Sequence, residues 1–207
     1  MSLDFDTAFA RCPLVAILRG VRPDEIDAIG DGLVEAGFTL IEVPLNSPDP
    51  LDSIARLAKR LDGRALIGAG TVLQASQVHD VRAAGGRIIV SPNANPAVIT
   101  AAASAGLASL PGIATPTEAF AAIDAGATAL KLFPAEAASP AVLKAMRAVL
   151  PKDMRMLPVG GISPDTMAPW LAAGADGFGL GSALYAIGRG ADDVAARARD
   201  FVAALGR

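Results

Sequence analysis

The chain has 207 residues, of which 52% are hydrophobic and 4% aromatic, and its net charge is −3. That much apolar material supports a packed core and argues against disorder. The interspersed charge has no basic stripe or polybasic tract, which argues against nucleic-acid and membrane-surface partners. One cysteine, Cys12, and one histidine, His79, leave no internal disulfide, no structural zinc site and no Cys/His catalytic pair, and point to a reducing, cytoplasmic setting.

Taken in order, residues 1–10 read as a short amphipathic helix with acids and no long apolar run, so a signal peptide is not expected. No apolar stretch reaches membrane-spanning length without Gly, Pro or charge. The first strand is expected over 14–18 and runs into Arg19-Gly20. A helix over 24–36 follows, started by Pro23 and stopped by Gly37. The second strand, 40–43, closes at Pro44, and a helix covers 50–61. The third strand, 65–70, ends at Thr71. A helix over 74–84, carrying His79 on its surface, ends at Gly85-Gly86. The fourth strand, 87–90, ends at Ser91-Pro92-Asn93, and Asn95-Pro96 opens a helix to Gly106.

The fifth strand is 107–110. Thr115-Pro116-Thr117-Glu118 combines a cap, Pro at the first helical position and Glu at the third, and so starts a helix that ends at Gly126. The sixth strand carries Lys131 in the apolar run Leu130-Lys131-Leu132-Phe133-Pro134. Ser139-Pro140 starts a helix to Leu150. The seventh strand, 154–159, is followed by Gly160-Gly161, and a helix covers 163–174. The eighth strand, 177–180, is followed by Gly181-Ser182, and the last helix covers 191–205. Five helices end in Ala-Gly just before a strand, where glycine supplies the left-handed turn that reverses the chain.

Eight nearly continuous apolar strands alternating with helices predict parallel strands buried on both faces, and the count of eight predicts one (β/α)8 TIM-barrel domain over 1–207 with a short N-terminal helix. A doubly wound open sheet shares the alternation, but no Gly-x-Gly-x-x-Gly follows the first strand.

In a barrel every strand C-terminus opens on one face. That rule gathers Arg19, Glu42, Thr71 and Lys131 at one mouth. A lysine in a buried strand loses water, its pKa falls, and the neutral amine is a nucleophile for carbonyl carbon. Two readings of Lys131 stand: such a nucleophile, or an ammonium that snorkels out or pairs with an acid. Glu42 needs a partner because a lone buried carboxylate is costly; it reads as a Glu–Lys tie between strands or as a general acid/base beside the amine. Gly160-Gly161 and Gly179-Leu180-Gly181-Ser182 lie where barrels commonly hold phosphate, and glycines let backbone N–H groups approach an anion. The alternative there is tight turns alone.

Ile17-Leu18-Arg19-Gly20, Ile41-Glu42-Val43, Gly68-Ala69-Gly70-Thr71, Ser91-Pro92-Asn93, Leu130-Lys131-Leu132-Phe133-Pro134 and Gly160-Gly161-Ile162 together resemble the 2-keto-3-deoxy-6-phosphogluconate and phosphogalactonate aldolases over essentially the whole chain. The resemblance implies a class I aldolase, a carbon–carbon lyase with neither metal nor cofactor, usually a homotrimer, acting on a small phosphorylated keto acid. It implies Lys131 as the Schiff-base lysine and Glu42 as the general acid/base. It likewise implies Arg19 and Thr71 as contacts to the keto-acid end, Gly160, Gly161, Gly181 and Ser182 as the phosphate cradle, and Pro92 and Phe133 as walls of the pocket.

Two departures from the gluconate pattern resemble the galactonate branch: Leu45-Asn46-Ser47 where Leu-Arg-Thr is usual, and Val159 before the paired glycines where a Thr is usual. The substrates differ at C4, and a methyl cannot make the hydrogen bond a hydroxyl makes. Rival expectations are the gluconate-type or a dual-epimer enzyme, a phosphosugar isomerase or epimerase, and a non-catalytic phosphometabolite-binding barrel.

Overall fold

A computed structural model describes residues 3–206; Met1 and Ser2, which the N-terminal helix was expected to include, lie outside the described residues. The strands are β1 (Leu14–Ile17), β2 (Leu40–Pro44), β3 (Leu66–Gly70), β4 (Ile88–Val90), β5 (Ala108–Leu110), β6 (Gly112–Ile113), β7 (Ala129–Leu132), β8 (Arg155–Pro158) and β9 (Phe178–Leu180). The helices are α1 (Phe5–Arg11), α2 (Ile26–Glu35), α3 (Pro50–Arg60), α4 (Ala75–Ala83), α5 (Pro96–Ser104), α6 (Pro116–Asp124), α7 (Pro140–Arg147), α8 (Met167–Ala172) and α9 (Ala191–Ala204). The helix starts follow the caps. Thr115 Oγ1 accepts from the Glu118 N–H while the Glu118 carboxylate accepts from the Thr115 N–H at 2.9 Å, two orphan donors satisfied reciprocally. Asn95 caps α5 by accepting from the Ala97 N–H at 3.1 Å.

Every strand pair is parallel. The strands form a six-stranded sheet in the order β5-β4-β3-β2-β1-β9 and a three-stranded sheet in the order β6-β7-β8. The fifth strand, expected over 107–110, is found there as β5, and past Pro111 a further short strand, β6, follows that was not expected. Proline has no N–H to give a ladder, so β5 pairs with β4 while β6, past the proline, pairs with β7. The chain itself therefore joins the sheets on one side, reinforced by Thr128 N–H donating to Ser109 O at 2.9 Å. On the other side a parallel bridge links Val159 to Gly179, and Asp176 N–H donates to Met156 O at 3.0 Å.

The helix expected over 163–174 is shorter than predicted. Residues 164–166 are a 3₁₀ turn and only Met167–Ala172 is α-helical. Among the described residues no helix is long and apolar enough to cross a membrane. His79 lies exposed on α4, and Cys12 is buried.

One apolar cluster fills the space between strands and helices, including Phe38, Phe178 and Phe201. A second lies on the inner strand faces, where Val15, Leu40, Leu66, Ile88, Ala129 and Leu157 meet Phe5 and Phe9 of α1. Each of these Val, Leu, Ile and Phe side chains contributes roughly 1.5–3 kcal/mol. Helix α1 covers the N-terminal ends of the strands. Its Phe5 and Phe9 rings sit 5.6 Å apart. The Arg155 guanidinium, at the start of β8, lies 4.9 Å from the centre of the Phe9 ring and pairs with Asp6 at 2.6 Å.

Candidate active site

Side chains two apart on a strand share a face. On β2 the inner face therefore reads Leu40 then Glu42, and on β7 Ala129 then Lys131. Two residues up from the apolar floor, each strand presents a charge. Glu42 is 1% exposed and Lys131 7%, and both line one small cavity with Val15, Leu110 and Leu157. Within 4.0 Å they make no ion pair with each other, and Glu42 Oε2, fully buried, has no hydrogen-bond partner. A strand-tying Glu–Lys bridge is therefore not what keeps them there. Glu42 Oε2 packs instead against Gly70 in β3, where an added Cβ would stand only 1.8 Å from it. In this pose the carboxylate fills the space that a side chain at position 70 would take.

Burial pushes the Glu42 pKa up from 4.5 to about 7, against the pull of Lys131 and Arg19. Burial also lowers the Lys131 pKa. Glu42 resists that shift and Arg19 adds to it. The Lys131 Nζ lies 4.4 Å from the centre of the Phe133 ring. A carboxyl titrating near neutrality beside an amine biased towards its neutral form suits nucleophilic attack with local proton transfer.

Above this pair opens a cavity of about 840 Å³. Of the residues expected from sequence, Arg19, Lys131, Phe133, Val159, Gly160, Gly161, Gly181 and Ser182 line it. Glu42 lies beneath it, sharing the lower cavity with Lys131 and Val159. Thr71 is off its wall and reaches Arg19, whose Nη1 lies 3.4 Å from the Thr71 hydroxyl. Thr71 holds a left-handed backbone, φ 56, a strained conformation for a β-branched residue. Pro92, expected as a wall beside the lysine, is also outside the cavity. Its carbonyl packs on Gly112, where an added Cβ would stand 2.3 Å away, one strand removed from Lys131.

Sequence reasoning treated Asn46 as a missing arginine. It is the partner that holds Arg19: Nη1 donates to Asn46 Oδ1 at 2.8 Å, and the neighbouring Ser47 Oγ accepts from the Gly20 N–H at 2.9 Å. Glu136, Tyr185, Arg189 and Arg197 also line the cavity and were not anticipated. Glu136 lies five residues after Lys131, and its carboxylate lies against Gly160, where an added Cβ would stand 2.0 Å from it. The Tyr185 hydroxyl donates to Glu25 at 3.1 Å, and burial pushes its pKa up. For Arg189 and Arg197 no local signal existed, because one precedes and the other lies within an ordinary charged helix.

The site is bipolar. One end holds Arg19 with Lys131 and Glu42, a guanidinium, an amine and a proton carrier suited to an α-keto acid. The other holds the glycine turns of 160–161 and 181–182 with two further arginines, suited to an anion. The profile of the "Aldolase: KDPG and KHG aldolase" family matches residues 5–196. The chain is 50% identical over 192 residues to the "Probable 2-dehydro-3-deoxy-6-phosphogalactonate aldolase" of Rhizobium meliloti, covering 93% of this chain and 91% of that protein. It is 46% identical over 194 residues to the "2-dehydro-3-deoxy-6-phosphogalactonate aldolase" of Escherichia coli, covering 94% and 95%. The solved structure described as "Native KDPGal structure" superposes with a TM-score of 0.93 at 45% identity over 95% of both chains. This chain is therefore an aldolase, a carbon–carbon lyase, and belongs to the KDPG and KHG aldolase family.

Proposed function

We propose that this chain cleaves 2-keto-3-deoxy-6-phosphogalactonate to pyruvate and D-glyceraldehyde 3-phosphate through a Schiff base on Lys131. The observation that carries the reading is the unpaired, buried Glu42 carboxyl, held near pKa 7 beside a desolvated amine at the base of a cavity. Lys131 Nζ attacks the C2 ketone. Glu42 moves protons so that the carbinolamine loses water and the iminium forms. The iminium draws the electrons of the C3–C4 bond as the C4 hydroxyl gives its proton to Glu42, and the aldehyde leaves. The enamine takes that proton at C3, and water releases pyruvate and the free amine. Arg19, steadied by Asn46 and Thr71, binds the carboxylate of the keto acid. Gly160, Gly161, Gly181 and Ser182 bind the phosphate, and so set C2 over the amine.

The galactonate epimer is favoured by Val159, which offers a methyl where a hydroxyl would bond the other C4 configuration, and by the printed names of the relatives at 50% and 46% identity. We infer further that residues 1–207 are one domain and that the two sheets close as an eight-stranded barrel. In support, β5 and β6 are halves of one strand, and the Val159–Gly179 bridge spans the other seam. The working form is a cytoplasmic homotrimer.

Borohydride reduction in the presence of pyruvate traps an adduct on Lys131; a digest in which that lysine is unmodified overturns the mechanism. Pyruvate release from both C4 epimers, compared by kcat/KM, decides the substrate. Faster release from the gluconate epimer overturns that assignment, and turnover without pyruvate release would identify an isomerase or epimerase. Light scattering of the purified chain tests the trimer.

A further inference from the structure

The loop after β9 is tied by two arginines of the α9 region, which Asp193 braces. Arg189 Nη1 donates to the carbonyls of Ser182 at 3.0 Å and Ala183 at 3.4 Å. Arg197 Nη1 also donates to Ala183 O, at 3.4 Å. Asp193 lies between the two guanidiniums, 3.1 Å from Arg189 Nε and 3.2 Å from Arg197 Nε. Arg189 and Arg197 line the large cavity. The Arg189 side chain is only 18% exposed, so it is held by its surroundings and is not a free surface cation.

A trans peptide is planar, with its C=O and N–H pointing in opposite directions. A carbonyl anchored at Ser182 therefore turns the Ala183 N–H away from Arg189. Within the loop, Leu184 and Tyr185 donate to Gly181 O, each at 2.9 Å. Among the described residues the Ser182 and Ala183 amides donate no hydrogen bond. Two unmet backbone donors thus lie on a cavity wall: the Ala183 amide shares its peptide with the Ser182 carbonyl that Arg189 holds, and the Ser182 amide shares its peptide with Gly181 O, held by Leu184 and Tyr185, so both are preorganised for an anion.

We propose that Arg189 is a positioning residue for phosphate: it holds the Ser182 carbonyl so that the Ala183 amide in the same peptide stays directed at the phosphoryl group, and Asp193 with Arg197 keeps Arg189 in that pose. The inference rests on the phosphate-binding half of the function proposed above and deepens it. It does not rest on the Schiff base.

The probe is inorganic phosphate, measured by its stabilisation of the protein on heating and by its competition with the phosphorylated substrate. Arg189→Ala weakens phosphate by about threefold to tenfold, the scale of one or two modest hydrogen bonds, and raises KM for the phosphorylated keto acid more than it lowers kcat. Arg189→Lys recovers part of the loss. Asp193→Asn decides between mechanisms by sign. It makes the neighbourhood more positive, so an arginine acting only through its charge predicts tighter phosphate. Positioning predicts weaker phosphate, because Arg189 loses its brace. Weaker phosphate in both variants, with pyruvate trapping on Lys131 much less affected, is the expected result.

Tighter phosphate in Asp193→Asn, unchanged phosphate in Arg189→Ala, or no phosphate binding by the parent overturns the proposal. Should Arg189→Ala fail to fold, Asp193→Asn and Arg189→Lys carry the test alone. A parent that binds phosphate, loses it in both variants and yet forms no pyruvate adduct would sink the Schiff-base mechanism and leave the positioning role standing.

Discussion

The inner faces of the strands have a floor and a mouth two residues apart, built on opposite principles. At the floor, Val15, Leu40, Leu66, Ala129 and Leu157 are buried against one another and against Phe5 and Phe9 of α1. At the mouth, the same rows continue as Glu42 and Lys131. One is an acid with an unsatisfied oxygen, the other an amine whose charged form burial disfavours. The mouth also holds Thr71 in a left-handed conformation. A buried group without its partners costs free energy, so the mouth is tolerated because the floor and the helix layer supply the stability it lacks. The division follows from parallel geometry, which delivers every strand's C-terminal end to one place while leaving the N-terminal ends to be sealed.

The sharpest way to break this contrast is at Lys131. Lys131→Met removes turnover and the borohydride adduct altogether, and it raises the melting temperature because a methionine has no charge to desolvate. A variant that keeps activity would end the Schiff-base reading, and one that melts lower would show that the amine is structural.

Glu42→Gln comes next, with turnover falling about 10²–10⁴-fold and pyruvate binding weakened far less. Its stability has a pH signature. The folded carboxyl keeps its proton to about 7, whereas the ordinary value is 4.5, so between those values the folded chain holds a proton the unfolded chain has released. The parent therefore loses stability as pH rises through that window. Relative to the parent, Glu42→Gln gains on the order of 3 kcal/mol from pH 4.5 to about pH 8. Denaturant melts across pH measure it, and a flat difference would show that the carboxyl is not desolvated in solution.

At the floor, Leu40→Ala should cost about 2–5 kcal/mol of unfolding free energy with kcat per folded molecule retained, the reverse of the mouth variants. Val159→Thr restores a hydroxyl beside the glycine pair and should move the ratio of kcat/KM for the two C4 epimers by about twofold to tenfold towards the gluconate form; an unmoved ratio would remove Val159 from the specificity argument. The smallest effect is expected from Glu136→Gln. Its carboxylate lies against Gly160 on the wall assigned to phosphate, so neutralising it should tighten inorganic phosphate by about twofold to fivefold, read as competitive inhibition.

Much of the site was legible one strand at a time. Lys131 and Glu42 stand out as charges in apolar runs, and strand-end reasoning gathers them without coordinates. The glycine pairs after β8 and β9 were legible for the same reason, since turn chemistry is local. What was not legible is what those residues touch. Asn46 read as the lack of an arginine and proved to be the acceptor that holds Arg19. Pro92 read as a pocket wall, and its carbonyl lies on Gly112, the residue paired with Lys131. The fifth strand read as ending at Leu110, and past Pro111 the chain forms one more short strand, β6, in the other sheet.

The amino-acid sequence by itself determined the alternation of buried strands and capped helices, the end of each strand at which polar residues gather, and the lysine and acid at the centre. Periodicity, caps and the cost of burying charge are all short-range properties. Only the tertiary structure decided that Glu42 and Lys131 face one another without pairing, that Gly70 makes room for the carboxylate, and that Arg189 and Arg197 stand behind the loop after β9. Each of these depends on which distant residues are brought side by side, and separation along the chain carries no information about that distance in space.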